Sequence, residues 1–96
     1  MDALSDIVGI LKELKPELAE KYHVSSIGLF GSIVRDDYSA NSDVDIIVDF
    51  SQPVGIEFID LANLIEDRIG KPVDLVSRNG VKPRYYSEIA PEIIYV

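Results

Sequence analysis

Apolar residues recur along positions 3 to 22 as Leu4, Ile7, Val8, Leu11, Leu14 and Leu18, at separations of 3, 1, 3, 3 and 4, which is one face of an amphipathic helix. Pro16 falls inside that stripe. Proline removes a hydrogen bond from a helix interior but is tolerated in a first turn, so the pattern predicts one helix to about residue 14 and a second opening at Pro16. The period then shortens to two. "SSIGLFG" (25 to 31) and "DVDIIVDF" (43 to 50) read as strands, the second with Val44, Ile46, Val48 and Phe50 on one face. Between them stand the turn formers Asp36, Asp37, Ser39, Asn41 and Ser42, after a short helix expected from Ser32, whose hydroxyl suits an N-cap. From Gly55 to Ile69 the set Phe58, Leu61, Ala62, Ile65 and Ile69 is helical again, with Gly70 and Pro72 as its stop. "KPVDLVS" (71 to 77) is a third strand, a helical turn opens near Pro83, and "EIIYV" is an edge strand. No repeat or linker interrupts residues 1 to 96, which read as a single α+β domain.

Composition narrows the class. The chain has 96 residues, 47% hydrophobic and 27% charged, which is ordinary globular usage at the size of one small domain. No apolar run approaches the roughly 20 residues that cross a bilayer, and the N-terminus lacks a signal-peptide layout, so a cytoplasmic protein with no membrane contact is expected. With no cysteine, thiolate metal sites and thiol nucleophiles are excluded, and any metal must be held by oxygen or by the single His23. A net charge of -8 argues against direct nucleic-acid binding, which draws its affinity from Lys and Arg. The 17 acids against 9 bases fit a solvated acidic surface, a basic protein partner, or carboxylates gathered around divalent cations.

The last option is testable locally. Residues i and i+2 of a strand share a face, so Asp43 and Asp45 project together with Cα atoms roughly 6 to 7 Å apart, away from the apolar set. Carboxylates this close repel unless one is protonated or a cation lies between them, and oxygen-only donors suit Mg²⁺ or Mn²⁺. A plain solvent-facing strand would show the same D-x-D pair. Asp74, flanked by Val73 and Leu75 in the third strand, tips the balance, because a neighbouring strand would set it beside the other two. Asp49 shares the face but lies roughly 13 Å beyond Asp45, as a solvated residue near the strand end. Upstream, Gly31 allows close backbone approach and a helix opening at Ser32 offers free amides, together a phosphate cradle or simply a tight turn. Arg35, one turn on, is placed either to meet a phosphate or to pair with Asp36 or Asp37.

Gly31-Ser32, ten residues, then Asp43-Val44-Asp45 resembles the signature of the DNA polymerase beta-like nucleotidyltransferases. The length and "VGIEFIDLANLIEDRIGKPVDLVS" resemble the minimal nucleotidyltransferase (MNT) antitoxins of HEPN/MNT toxin-antitoxin pairs, and the likeness covers nearly the whole chain. The resemblance implies the polymerase beta-like fold, a small mixed β-sheet flanked by helices. It implies that Gly31, Ser32 and Arg35 bind the nucleotide. Asp43, Asp45 and Asp74 would be the catalytic carboxylates and hold two Mg²⁺ ions, Mn²⁺ being an alternative, with Asp74 also favouring deprotonation of the acceptor. The implied reaction transfers AMP from ATP to a tyrosine hydroxyl of a HEPN ribonuclease toxin, in a hetero-oligomer with that partner or from a homodimer. One position departs from the pattern: Asp36 stands where many relatives have glycine.

Two other functions fit the same residues. A non-catalytic antitoxin would use its acidic surface to cover a basic ribonuclease. Transfer to a small molecule would need a second substrate-binding region, for which 96 residues leave little material. His23 reads as a structural or surface residue, and Tyr85 and Tyr86, with Lys82 and Arg84, either contact a partner or pack the tail.

Overall fold

The computed structural model describes residues 3–35, 37–39 and 41–96, so Asp36 lies outside the described residues. Helix α1 (Ala3–Tyr22) leads into strand β1 (Val24–Phe30), and a single turn of helix, α2 (Ser32–Arg35), precedes β2 (Val44–Phe50). Helix α3 (Glu57–Ile69), β3 (Val73–Ser77), α4 (Pro83–Ile89) and the short β4 (Ile94–Tyr95) follow. The strands form one sheet in the order β3-β2-β1-β4. β2 and β3 run parallel while β1 is antiparallel to both β2 and β4, so the sheet is mixed, as expected.

One face of the sheet carries the main core. Ile7, Leu11, Leu14 and Leu18 of α1 and Leu61, Ile65 and Ile69 of α3 are buried against Ile27 and Leu29 of β1 and Val44, Ile46 and Val48 of β2. Val24 joins them although it is three residues from Ile27, an odd step that alternation forbids. A bulge resolves the phase: Val24 pairs with Phe50 and Ser26 with Asp49, leaving Ser25 as the extra residue.

Pro16 does not divide α1, contrary to the two-helix expectation. The helical stripe is buried on both sides of it, with Leu14 3% and Leu18 0% exposed, while Pro16 and Lys12 face solvent. The carbonyl that loses its amide partner can therefore be hydrated, and packing outweighs the local penalty. Tyr22 ends the helix and His23 takes the left-handed conformation, φ 60°, its carbonyl accepting the Ser51 amide at 2.8 Å.

The opposite face is covered too. Phe30, Ile47 and Ile89 form a second buried cluster, joined by Val76, Val81, Tyr86 and Ile93. α4 is held over this face by a stack of the Arg78 guanidinium on the Tyr86 ring at 3.7 Å. A hydrogen bond with Tyr86 raises the Tyr95 phenol above its ordinary pKa, with burial adding to the effect. Gly28 makes room for this arrangement, because a Cβ there would lie 2.6 Å from Ile93 Cγ2.

Candidate active site

The two halves of the Gly-Ser and D-x-D pattern meet where β1 ends. Phe30 is the register partner of Asp45, so the chain leaves β1 at Gly31 directly beside that carboxylate. Gly31 has φ +79°, and a Cβ built on it would collide with the Asp45 side chain. Glycine is thus required twice, for the backbone conformation and for the space the carboxylate occupies. The Gly31 carbonyl accepts the amides of Val34 and Arg35, which places Gly31 at the cap of α2 and Ser32 in its first turn. The cap expected at Ser32 therefore falls one residue earlier, since a left-handed glycine can turn the chain without a side-chain acceptor. First-turn amides of such a helix lack intrahelical partners and are available to an anion.

On its other side Asp45 is the register partner of Asp74 in the parallel strand β3. Asp43 immediately precedes β2, whose first amide, that of Val44, is anchored on the Pro72 carbonyl at 2.9 Å. Asp43 and Asp74 are exposed and Asp45 is half-buried. The Asp45 carboxyl is raised from 3.8 to about 6, first by burial and then by the charges of Asp74, Asp43 and Glu92, against the lowering effect of Arg35. The charges of Asp43 and Asp74 are thus both felt at the Asp45 carboxyl. Among the described residues, though, no three His, Asp or Glu side chains close into a ready-made metal cage. Their chemistry, hard carboxylate oxygens in mutual repulsion, still suits a divalent cation of the Mg²⁺ type.

A cleft of about 300 Å³ opens on this spot, lined by Phe30, Gly31, Arg35, Asp45, Tyr85, Glu88, Ile89 and Glu92. It brings together Gly31, Arg35 and Asp45 of the expected set, while Ser32, Asp43 and Asp74 stand beside it. Arg35 is bound by carboxylates: Glu92 receives Nη1 at 3.2 and 3.3 Å, and Asp37 lies 3.8 Å from Nε. Asp49, expected to be simply solvated, is half-buried and accepts the Phe50 amide at 2.9 Å. A larger hollow of about 570 Å³ beside Ile7, Ile10 and Ile69 gathers no comparable set of carboxylates among the described residues.

Glu88 and Glu92 are the residues that sequence reasoning missed. They lie more than forty positions from the D-x-D pair, on a segment whose own pattern does not announce its place over the sheet.

A mixed sheet with a left-handed glycine against one strand carboxylate, and a second carboxylate in register beside it, is the arrangement of a nucleotidyltransferase. The nucleotidyltransferase domain family matches residues 11–96. A protein adenylyltransferase, MntA, of Thermococcus cleftensis is 40% identical over 97 residues, covering 100% of this chain and 98% of the relative. A Methanocaldococcus jannaschii chain assigned to the protein adenylyltransferases is 38% identical over 98 residues, with both chains covered in full. Among solved structures, one of a minimal nucleotidyltransferase superposes with a TM-score of 0.79 at 26% identity, covering 98% of this chain and 95% of the other. A mutant of the toxin-antitoxin pair MntA-HpeT shares the fold with a TM-score of 0.67 at 20% identity, covering 96% of this chain and 70% of that one. The chain belongs to the nucleotidyltransferase domain family and, within the polymerase beta-like superfamily, to its minimal nucleotidyltransferases.

Proposed function

We propose that this nucleotidyltransferase transfers AMP from ATP to a tyrosine hydroxyl of a HEPN ribonuclease toxin and so acts as its antitoxin. The observation that carries the reading is the apposition of Gly31 to Asp45, with Asp74 in register on the next strand, because it sets a backbone anion cradle against paired carboxylates. Gly31, Ser32 and Arg35 bind and orient the triphosphate. Asp43, Asp45 and Asp74 would hold Mg²⁺, two ions where both sites fill, which when bound neutralises phosphate charge and stabilises the leaving pyrophosphate. The acceptor hydroxyl attacks the α-phosphorus in line, the bond to the pyrophosphate oxygen breaks, and Asp74 favours loss of the hydroxyl proton. Relatives named protein adenylyltransferase, and a solved toxin-antitoxin pair sharing the fold, support a protein acceptor.

Mixing this protein with a cognate HEPN ribonuclease and ATP labelled in the α-phosphate should label the ribonuclease. The Asp43→Asn, Asp45→Asn double variant should not, and label transfer by that variant refutes the carboxylate mechanism. A second reading, neutralisation by binding alone, is favoured by Arg35 being already engaged by Glu92 and by the acidic surface. It predicts that the same double variant still silences the toxin at equal protein concentration.

A further inference from the structure

Among the described residues lining the cleft, Arg35 is the single cation, against the three carboxylates of Asp45, Glu88 and Glu92. Glu92 belongs to the turn Ala90–Glu92, fifty-seven residues further along the chain, and presents both its oxygens to Arg35 Nη1 at 3.2 and 3.3 Å. A guanidinium offers phosphate the same planar donors that it offers a carboxylate. The Nη1 donor facing Glu92 is therefore one that a nucleotide phosphate in this cleft would use. The contact is also of a kind that can be exchanged, since the Arg35 side chain is 53% exposed and that of Glu92 23%, and pairs this open to water are weak.

We propose that Glu92 is an internal stand-in for the nucleotide phosphate, holding Arg35 at the cleft and yielding it when a triphosphate enters. This rests on the reading of Gly31, Arg35 and Asp45 as the nucleotide site. Glu92 is then a positioning residue that sets an affinity threshold: a ligand must present enough phosphate charge to displace the carboxylate and tolerate its neighbourhood. Glu88 lines the same cleft without bonding Arg35, so it shares the repulsion but not the exchange.

Equilibrium binding of α,β-methylene-ATP with Mg²⁺, and of inorganic tripolyphosphate, separates these effects. Glu92→Gln should tighten both by about fivefold, a change of the size an exposed ion pair controls. Glu88→Gln should gain about twofold at most, through charge alone. In an Arg35→Gln background the Glu92→Gln gain should fall to the roughly twofold that charge alone gives, whereas Glu92→Asp should keep wild-type affinity. In the transfer assay Glu92→Gln should lower KM for ATP without raising kcat. An unchanged or weakened affinity in Glu92→Gln, or a gain that stays at full size without Arg35, overturns the exchange while leaving the nucleotide site intact. If neither the wild-type protein nor a folded Glu92→Gln variant binds either ligand, the nucleotide-site reading itself falls and the exchange with it.

Discussion

Gly31→Ala tests the central contact of the site, and Gly70→Ala is its built-in control. Both glycines are left-handed, at φ +79° and +75°, so an alanine at either adopts a disfavoured backbone conformation. That cost is about 1 to 2 kcal/mol at each position. The surroundings differ. At Gly70, which closes α3 by donating its amide to the Glu66 carbonyl at 2.8 Å, nothing lies within 4 Å of an added Cβ. At Gly31 the added methyl meets the Asp45 carboxylate, which must swing aside. Asp45 is half-buried and can move toward water, so the clash adds little to the stability cost but shifts the carboxylate by roughly an ångström. A displacement of that size costs about a hundredfold in rate. Urea titration should therefore find both variants destabilised by a similar amount, and for a chain of this size each kcal/mol lowers Tm by about 4 to 8 °C. AMP transfer should fall about a hundredfold in Gly31→Ala and stay near wild type in Gly70→Ala, whose site is untouched. Equal activity in the two variants would refute the argument that Gly31 exists to accommodate Asp45.

Three further substitutions probe the rest of the structure. The Asp45 carboxyl is raised from 3.8 to about 6, so its ionised form opposes folding: the favourable proton is fully held below 3.8 and is lost as pH rises through 6. In metal-free protein Asp45→Asn should thus be the more stable form above pH 7 by about 1 kcal/mol, after discounting for solvent screening, with the advantage fading between pH 6 and 4 in urea titrations; no pH dependence of the difference would contradict the assignment. His23→Gly should gain about 0.5 to 1 kcal/mol in chemical denaturation, because φ 60° is free of strain for glycine and the carbonyl that accepts the Ser51 amide is retained. Pro16→Ala should gain about 1 kcal/mol or more by restoring a helix hydrogen bond at an exposed position, and a loss of stability would mean that the ring packs in a way its exposure denies.

What could be read along the chain and what could not divide by the range of the interactions involved. The stripes of α1 and α3, the alternation of β2 and the placement of Asp74 in a strand follow from periods of 3.6 and 2, which are local rules. Pro16 misled because a local penalty was weighed without the tertiary packing of Leu14 and Leu18, which decides the matter. The bulge at Ser25 escaped because phase is settled by the partner strand, whose Phe50 and Asp49 pair with Val24 and Ser26. The covering of the second face by α4 was the larger omission, and it had one visible sign. On the face shared by Asp43, Asp45 and Asp49 the intervening residue is Ile47, 2% exposed, which a solvent-facing strand would have no reason to carry. An apolar residue there requires a cover, and the cover is Ile89 of α4. Once α4 lies over Ile47, the turn that follows it must pass the end of β1, and this is what sets Glu92 against Arg35. The candidate cleft is thus a consequence of the second hydrophobic cluster, since the contact that buries Ile47 also walls the space in front of Asp45.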